Sequence, residues 1–175
     1  NRALSQRLIA GKGKAMSRLD SFINRMTAQR DILNHIKNDL GLPASGDVYE
    51  VGIGNGRTYS HLRELFADRR ILAFDRSNGA HRTEAPSEND VVLGEIKDTG
   101  QEYVGKNAAL VHADIGTGYP DADARTLQWL PQMAAGMLAS GAYAVSGLPL
   151  DHPDLEELPR LPSVEEGRYF YYRKR

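Results

Sequence analysis

Four residues around position 50 have types and spacing suited to holding a nucleotide-like ligand. Glu50 follows a short apolar run, and Gly52, Gly54 and Gly56 come after it at alternate positions. A helix-like repeat of apolar residues begins directly afterwards. A strand, a glycine turn and a helix in this order bring backbone N–H groups close to a bound ligand. Glycine suits the turn because it tolerates positive φ angles and has no Cβ to keep a ligand away.

The glycine spacing excludes two common nucleotide sites. A dinucleotide fingerprint, G-x-G-x-x-G, needs its third glycine where this chain has Arg57. A phosphate-binding G-x-x-x-x-G-K-[ST] loop is also absent, because the G-K-G-K run at 11–14 has the wrong spacing and no following Ser or Thr. A glycine turn without a ligand is the structural alternative, and the flanking strand and helix patterns give it little weight.

The pattern E-x-G-x-G-x-G resembles the first motif of the class I S-adenosylmethionine-dependent methyltransferases. The resemblance covers the chain from about Asp47 to the C-terminus. It implies a doubly wound, mostly parallel, seven-stranded α/β sheet of the Rossmann-like methyltransferase type, with S-adenosylmethionine as cofactor. It also implies that the motif contacts the cofactor. The positions it assigns to this contact are Glu50, Gly52, Ile53, Gly54, Asn55, Gly56 and Thr58.

The resemblance implies further cofactor contacts at the ends of the next two predicted strands. Asp75 ends the second strand, at about the separation from the glycine motif where a nucleotide fold places a carboxylate on ribose hydroxyls. A carboxylate suits this position because it accepts hydrogen bonds from both hydroxyls. Arg76 would lie beside the cofactor. Glu95 and Ile96, after the third strand, would meet the adenine ring.

His112 and Asp114 are the candidates for chemistry on the methyl acceptor. They end the fourth predicted strand, Ala108–Asp114, whose C-terminal end faces the methyl group in the family, so His112 would also touch the cofactor. A neutral imidazole can take a proton from a hydroxyl or an amine. Methyl transfer is a direct displacement in which alignment supplies much of the rate, so a base is not always needed. A structural role for His112, packed against the glycine loop, is an equal alternative.

Residues 1–43 are predicted to form a helical extension, and 47–175 the cofactor-binding core, of a single domain. A short helix over 3–10 and a longer one from about Ala15 to Leu40 are expected. The apolar stripe of the longer helix must pack on the sheet or on a second subunit, so a lid, a packing helix and a homodimer interface all stay open. The stripe consists of Met16, Leu19, Phe22, Ile23, Met26, Leu33, Ile36 and Leu40.

The second half of the chain reads as alternating elements with a terminal hairpin. The polar segment 76–90 predicts a short or missing helix between the second and third strands. Leu148–Pro162, with four prolines, predicts a loop. The hairpin is expected to pair Arg168–Tyr172 with a strand around Leu158–Val164. Before the loop, the pattern predicts helices over Asp121–Leu130 and Pro131–Ala139 and a strand over Ala142–Ser146.

Composition narrows the class of protein. At 175 residues with 41% hydrophobic and 26% charged side chains, the chain fits one globular domain. It has no cysteine, which excludes disulfides and cysteine ligands, and no metal site is expected. No apolar run reaches membrane-spanning length and no signal pattern opens the chain, so a cytoplasmic protein without membrane contact is expected. Residues 1–40 carry an excess of basic side chains, as some nucleic-acid sites do. These charges alternate with apolar residues at helical spacing, which favours a solvated helix face over a nucleic-acid site.

Three functions are compatible with these features. The leading hypothesis is S-adenosylmethionine-dependent methyl transfer to an O, N or S atom of a small molecule. RNA or protein methylation is an alternative if the basic N-terminal helix and the basic tail form one patch. A nucleotide-binding module without catalysis is the alternative from another class. The identity of the acceptor stays open at this point.

Overall fold

The computed structural model describes residues 16–80 and 83–175. The short helix predicted over 3–10 lies outside the described residues. In the described part, seven strands form one sheet. They are β1 (Val48–Val51), β2 (Ile71–Asp75), β3 (Val91–Leu93), β4 (Ala108–Ala113), β5 (Leu138–Ser146), β6 (Leu155–Glu157) and β7 (Phe170–Lys174).

The strand order is β3-β2-β1-β4-β5-β7-β6. Strands β1 to β5 pair in parallel, whereas β7 runs antiparallel to both β5 and β6. The order reverses between β1 and β4, which is the switch point where open α/β sheets bind ligands. The predicted doubly wound, mostly parallel seven-stranded fold is confirmed.

Helices cover both faces of the sheet. One face packs mainly on the helix Leu130–Met137, whose Met133 and Met137 are buried, and the other packs on the helices Arg18–His35 and Arg57–Leu65. The central strand β1 is buried along its whole length, as expected for a parallel strand covered on both sides. The helices are α1 (Arg18–His35, continued by a π-helix Ile36–Leu40), α2 (Arg57–Leu65), α3 (Ile96–Thr99), α4 (Pro120–Leu127) and α5 (Leu130–Met137).

Only the second half of α1 packs on the sheet. Ile32, Leu33 and Ile36 are buried, whereas the sequence predicts an apolar stripe that packs along the whole helix. The first turns run past the sheet toward the C-terminal end of β4 and the residues before β7, where Ser21 contacts Arg168. The stripe residues at this end are therefore exposed, namely Met16, Leu19, Phe22 and Ile23. Leu40 is exposed at the other end, as the last residue of the π-helix. The N-cap Ser17 accepts the N–H of the third residue of the helix, a standard start signal.

The predicted terminal hairpin exists, but its first strand lies elsewhere. β6 is Leu155–Glu157, inside the segment predicted to be a loop, and the expected strand at Leu158–Val164 is wrong. Three residues are too few for an alternating pattern to show, and prolines flank β6 on both sides. Leu158–Val164 instead forms a connection that buries Val164. Between β2 and β3 the described residues contain one 3-10 turn, Glu88–Asp90, in line with the predicted loss of a helix.

Candidate functional site

The glycine loop between β1 and α2 combines close packing with one open position. All three of its glycines have positive φ angles: 89° at Gly52, 53° at Gly54 and 84° at Gly56. A Cβ at Gly52 would lie 2.6 Å from Ile115 Cγ2, so this glycine allows the loop after β1 to pack closely on the residues that follow β4. A Cβ at Gly54 would meet nothing within 4 Å. The backbone at Gly54 therefore faces free space, as a ligand cradle requires.

That free space is a cavity of about 280 Å³, here called the cofactor cavity. It lies above the C-terminal end of β1, between α1 and the start of α2. Seven of the predicted site residues line it, together with three residues that the sequence did not indicate. The lining residues are Glu50, Gly52, Ile53, Gly54, Asn55, Thr58 and Asp114, with Arg25, Met26 and Arg57.

Glu50 presents an unpaired oxygen at this cavity. Its side chain is 1% exposed, and Oε1 lies 2.7 Å from His112 Nδ1. Oε2 is buried and has no hydrogen-bond partner among the described residues. Burial raises the pKa of Glu50, while the nearby His112 acts against the rise. A buried acceptor without a donor is costly, so the site fits a ligand that brings an N–H donor, such as the amino group of the cofactor that the resemblance implies.

His112 is fully buried behind Glu50. Its Nδ1 contacts Glu50, and its Nε2 lies 2.7 Å from the hydroxyl of Tyr169, whose ring stacks on the imidazole at 5.8 Å between centroids. Burial by itself would lower the pKa of His112, but the charge of Glu50 and the hydrogen bond to it outweigh burial and raise the pKa. Both ring nitrogens are occupied, and His112 does not line the cofactor cavity.

Asp114 is held at the cavity by a residue of α1. Gln29, 3% exposed, donates through Nε2 to Asp114 Oδ2 at 2.7 Å and accepts from Thr58 Oγ1 at 2.6 Å. One side chain thus connects the end of β4 with the start of α2. Arg25 Nε lies 3.9 Å from the same Asp114 oxygen. The sequence does contain a signal for Gln29. Its amide stands at helical spacing from buried Leu33 and is therefore a polar group on an apolar helix face, where a hydrogen-bond partner is expected.

The remaining predicted cofactor contacts lie at the ends of β2 and β3. Asp75 accepts the N–H of Ile53 at 2.8 Å through Oδ2 and that of Arg76 at 2.7 Å through Oδ1. Each oxygen keeps a further lone pair, so the carboxylate can still receive ribose hydroxyls. Arg76 forms two contacts with Glu95, of 3.0 and 3.1 Å, and Ile96 begins α3 beside them. Asp75 thus contacts the glycine loop, and none of these four side chains lines the cofactor cavity.

A second cavity, of about 340 Å³, adjoins the first at the C-terminal ends of β4 and β5. The two cavities share Arg25 and Asp114. Asp123 fixes the loop that forms one wall, since its carboxylate accepts from Thr117 N and Oγ1 at 2.8 Å each and from Gly118 N at 3.1 Å. The other lining residues are Ser21, Gly116, Thr117, Gly118, Gly147, Leu148, Gly167, Arg168 and Tyr169.

Within 16–80 and 83–175, no three His, Asp or Glu side chains are grouped so that they could hold a metal ion. No helix of these ranges has both the length and the apolar character to cross a membrane.

Comparison with known proteins shows which family the chain matches. Residues 16–174 match the family model described as S-adenosyl-L-methionine methyltransferase. A solved S-adenosyl-L-methionine methyl transferase from Silicibacter pomeroyi DSS-3 is 38% identical, with a TM-score of 0.81, and the match covers 91% of this chain and 99% of that one. A search of curated proteins found no match.

Two more distant structures share the fold. TrmN from Thermus thermophilus is 15% identical, with a TM-score of 0.61, over 83% of this chain and 48% of its own. A fibrillarin/Nop5p complex gives 14% identity and a TM-score of 0.54, over 87% of this chain and 82% of that one. At such identities the likeness concerns the fold alone. The family model and the Silicibacter structure together show that this chain belongs to the S-adenosyl-L-methionine methyltransferases.

Proposed function

We propose that this methyltransferase transfers a methyl group to an O, N or S atom of a small molecule. The observation that carries the proposal is that the cofactor cavity and the second cavity share Arg25 and Asp114 as lining residues and are therefore neighbours. Together they provide one chamber for the cofactor and one for an acceptor. A volume of about 340 Å³ lies at the lower end of the range of roughly 300–1,000 Å³ usual for small-molecule sites.

The predicted cofactor-binding residues, in the cofactor cavity and at the ends of β2 and β3, have separate roles in this proposal. S-adenosylmethionine, when bound, supplies an electrophilic methyl group on a sulfonium. The buried Oε2 of Glu50 accepts from the amino group of the methionine part, and the backbone around Gly54 lies along the cofactor. Asp75 receives the ribose hydroxyls. Arg76, Glu95 and Ile96 flank the adenine, and Gly52, Ile53, Asn55, Gly56 and Thr58 complete the cradle.

Asp114 is the group proposed to act on the acceptor. It stands where the two cavities meet, with one oxygen fixed by Gln29. Its carboxylate accepts the O–H or N–H of the acceptor, which turns the nucleophilic lone pair toward the methyl group and provides a place for the proton to go. The buried position of His112 supports a positioning role, in which it holds Glu50 in place.

The distribution of basic residues favours a small acceptor over RNA or protein. The first turns of α1 lie at the C-terminal ends of the parallel strands, where Arg25 approaches Asp114. The basic tail lies at the opposite ends of the strands, because Lys174 donates to the carbonyl of Ala135 in α5 and to that of Leu138 at the start of β5. Within the described residues, the basic side chains of α1 and those of the tail therefore do not form the single patch that the nucleic-acid alternative requires.

Titration calorimetry followed by an acceptor screen tests the proposal. The protein is titrated with S-adenosylmethionine, S-adenosylhomocysteine and, as a control, NAD. We expect binding of the first two and none of NAD. The protein is then incubated with labelled S-adenosylmethionine and either small-molecule pools, total RNA or total protein. Label that enters RNA or protein but no small molecule would contradict the proposed acceptor class.

Replacing Asp75 by alanine should weaken S-adenosylmethionine binding by more than about tenfold, or ~1.4 kcal/mol. The variant loses the ribose acceptor and leaves the N–H of Ile53 without the carboxylate it now contacts. Asp90→Ala is the control, because this carboxylate forms an exposed ion pair with Arg70 of a kind that contributes little to stability. Calorimetry gives the affinities and thermal unfolding checks the fold. Unchanged affinity in Asp75→Ala would remove Asp75 from the site.

A further inference from the structure

The second cavity contains two arginines whose hydrogen-bonding capacity is not used up. Arg25 reaches it from α1 and Arg168 from the residues before β7. Each has a buried Nε without a hydrogen-bond partner among the described residues. The side chain of Arg25 is also 40% exposed, so part of its guanidinium is open to an incoming molecule.

Each guanidinium is held in place by neighbouring groups. Arg168 donates through Nη2 to the backbone carbonyl of Ser21 and, at 2.7 Å, to its hydroxyl. Arg25 lies over the ring of Phe22, with its Cζ 5.7 Å from the ring centroid. The charges therefore have defined positions before an acceptor arrives. Such pre-positioning reduces the entropy that binding must overcome.

The two carboxylates of the cavity, Asp123 and Asp114, differ in how far they neutralise the positive charges of the two arginines. All three hydrogen bonds of Asp123 go to the wall loop, and these bonds hold the pKa of Asp123 below its ordinary value, so the group acts as a brace. Asp114 accepts from Gln29 through Oδ2, and its Nε contact with Arg25 is long at 3.9 Å. The Nε–H groups of Arg25 and Arg168 therefore have no hydrogen-bond partner among the described residues, and Asp114 lies in the same cavity, 3.9 Å from Arg25.

We propose that the acceptor is an anionic small molecule, bearing a carboxylate or a phosphate group that binds Arg25 and Arg168. This inference rests on the proposed function and names the substrate class of the same site. Guanidinium groups suit both anions because their N–H donors match carboxylate and phosphate oxygens. With its anionic end held by the arginines, the acceptor presents its O–H or N–H to Asp114, next to the methyl group.

The test uses inorganic phosphate and acetate as probes of the arginine pair. Each is titrated into the full chain saturated with S-adenosylhomocysteine, and binding is followed by NMR of the probe. We expect at least one probe to bind, and the stronger of the two identifies the anion as phosphate or carboxylate. In Arg25→Met or Arg168→Met the dissociation constant should rise about tenfold, the value of one charge-assisted hydrogen bond.

Matched variants separate anion binding from general effects. Arg125→Met removes an exposed arginine from α4 and should leave probe binding unchanged. Arg25→Lys should restore part of the affinity because it keeps the charge without the fork of donors. Arg168→Met could loosen α1 through Ser21, so thermal unfolding is measured alongside and Arg25→Met carries the conclusion if that variant unfolds.

The outcomes test the anionic acceptor and the proposed methyl transfer separately. If S-adenosylhomocysteine binds but neither anion does, or if both arginine variants bind the anions normally, the anionic acceptor is wrong and the methyl transfer proposal stands. If S-adenosylhomocysteine itself does not bind, the proposed function fails first. In a later acceptor screen, the arginine variants should raise KM for an anionic acceptor about tenfold with little change in kcat, and neutral analogues should be poor acceptors.

Discussion

Gly54→Val is expected to reduce the affinity for S-adenosylmethionine at least about 100-fold, a loss of ~2.7 kcal/mol. The reason is steric. The backbone at Gly54 faces open space, with nothing within 4 Å of an added Cβ, and a branched side chain there would occupy the volume that the cofactor needs. The φ angle of 53° adds strain for a β-branched residue. Calorimetric titration of wild type and variant measures the loss.

Gly105→Val is the matched control for the strain. Gly105 also has a positive φ angle, of 83°, and an added Cβ would also meet nothing within 4 Å. It precedes β4, at the edge of the sheet opposite the cofactor cavity. Both variants should lose similar stability in urea unfolding, but only Gly54→Val should lose cofactor binding. Equal binding losses would mean that strain, and not blockage, explains the effect, and normal binding in Gly54→Val would mean that the loop does not face the cofactor.

The candidate site residues that could be predicted from the sequence lie within short stretches of the chain, where the local pattern determines their positions. Glu50, the glycine loop and Thr58 belong to one strand, turn and helix. The local pattern fixes their order and hence their position at the end of β1. Asp75 could be predicted for the same reason, because it ends the neighbouring strand, and the structure brings it to the N–H of Ile53.

The residues that sequence analysis missed come from distant elements. Gln29 meets Asp114 across 85 positions, and Arg168 meets Ser21 across 147. Helical periodicity predicts that α1 has an apolar side, but it does not say how far the helix runs along the sheet before its first turns pass beyond the edge. The exposed Phe22 and the buried Gln29 both follow from that geometry, which tertiary packing determines.

The environment of His112 could likewise not be predicted from the local sequence. The strand pattern of β4 placed a histidine near the glycine loop but could not supply its partners, since Glu50 and Tyr169 belong to β1 and to the segment before β7. A histidine with both nitrogens bonded and no exposed surface differs physically from one that opens onto a cavity, because both of its nitrogens already have partners inside the core.

His112→Leu is expected to lower the free energy of unfolding by about 3–5 kcal/mol, since removal of one partner leaves a buried ionisable group uncompensated. Glu50 is 1% exposed and its other oxygen already lacks a partner among the described residues. The double variant Glu50→Leu, His112→Leu should lose much less, because it removes both buried polar groups together. Urea unfolding of the cofactor-free proteins measures both. A single variant that loses under about 1 kcal/mol, within the range of surface pairs, would mean that the pair contributes little.

The pH dependence of this pair has a definite sign. The pKa of His112 is raised above its ordinary value of 6.5 by Glu50 in opposition to burial, and that of Glu50 is raised above 4.5 by burial. At a pH between the ordinary and the raised pKa of each group, the folded chain therefore keeps a proton that the unfolded chain has released. The stabilisation from His112 is therefore fully present below pH 6.5 and is lost as the pH rises through the raised value.

The stability advantage of wild type over the His112→Leu, Glu50→Leu double variant should accordingly shrink as the pH rises above 6.5. The slope is bounded at about 1.4 kcal/mol per pH unit for each proton retained. The comparison with the double variant cancels the titration of groups that both proteins share. Parallel pH profiles would mean that the pair exchanges no proton on unfolding. In that case the fold would hold Glu50 and His112 in the protonation states that they already have in the unfolded chain, and the pair would act through hydrogen-bond geometry alone.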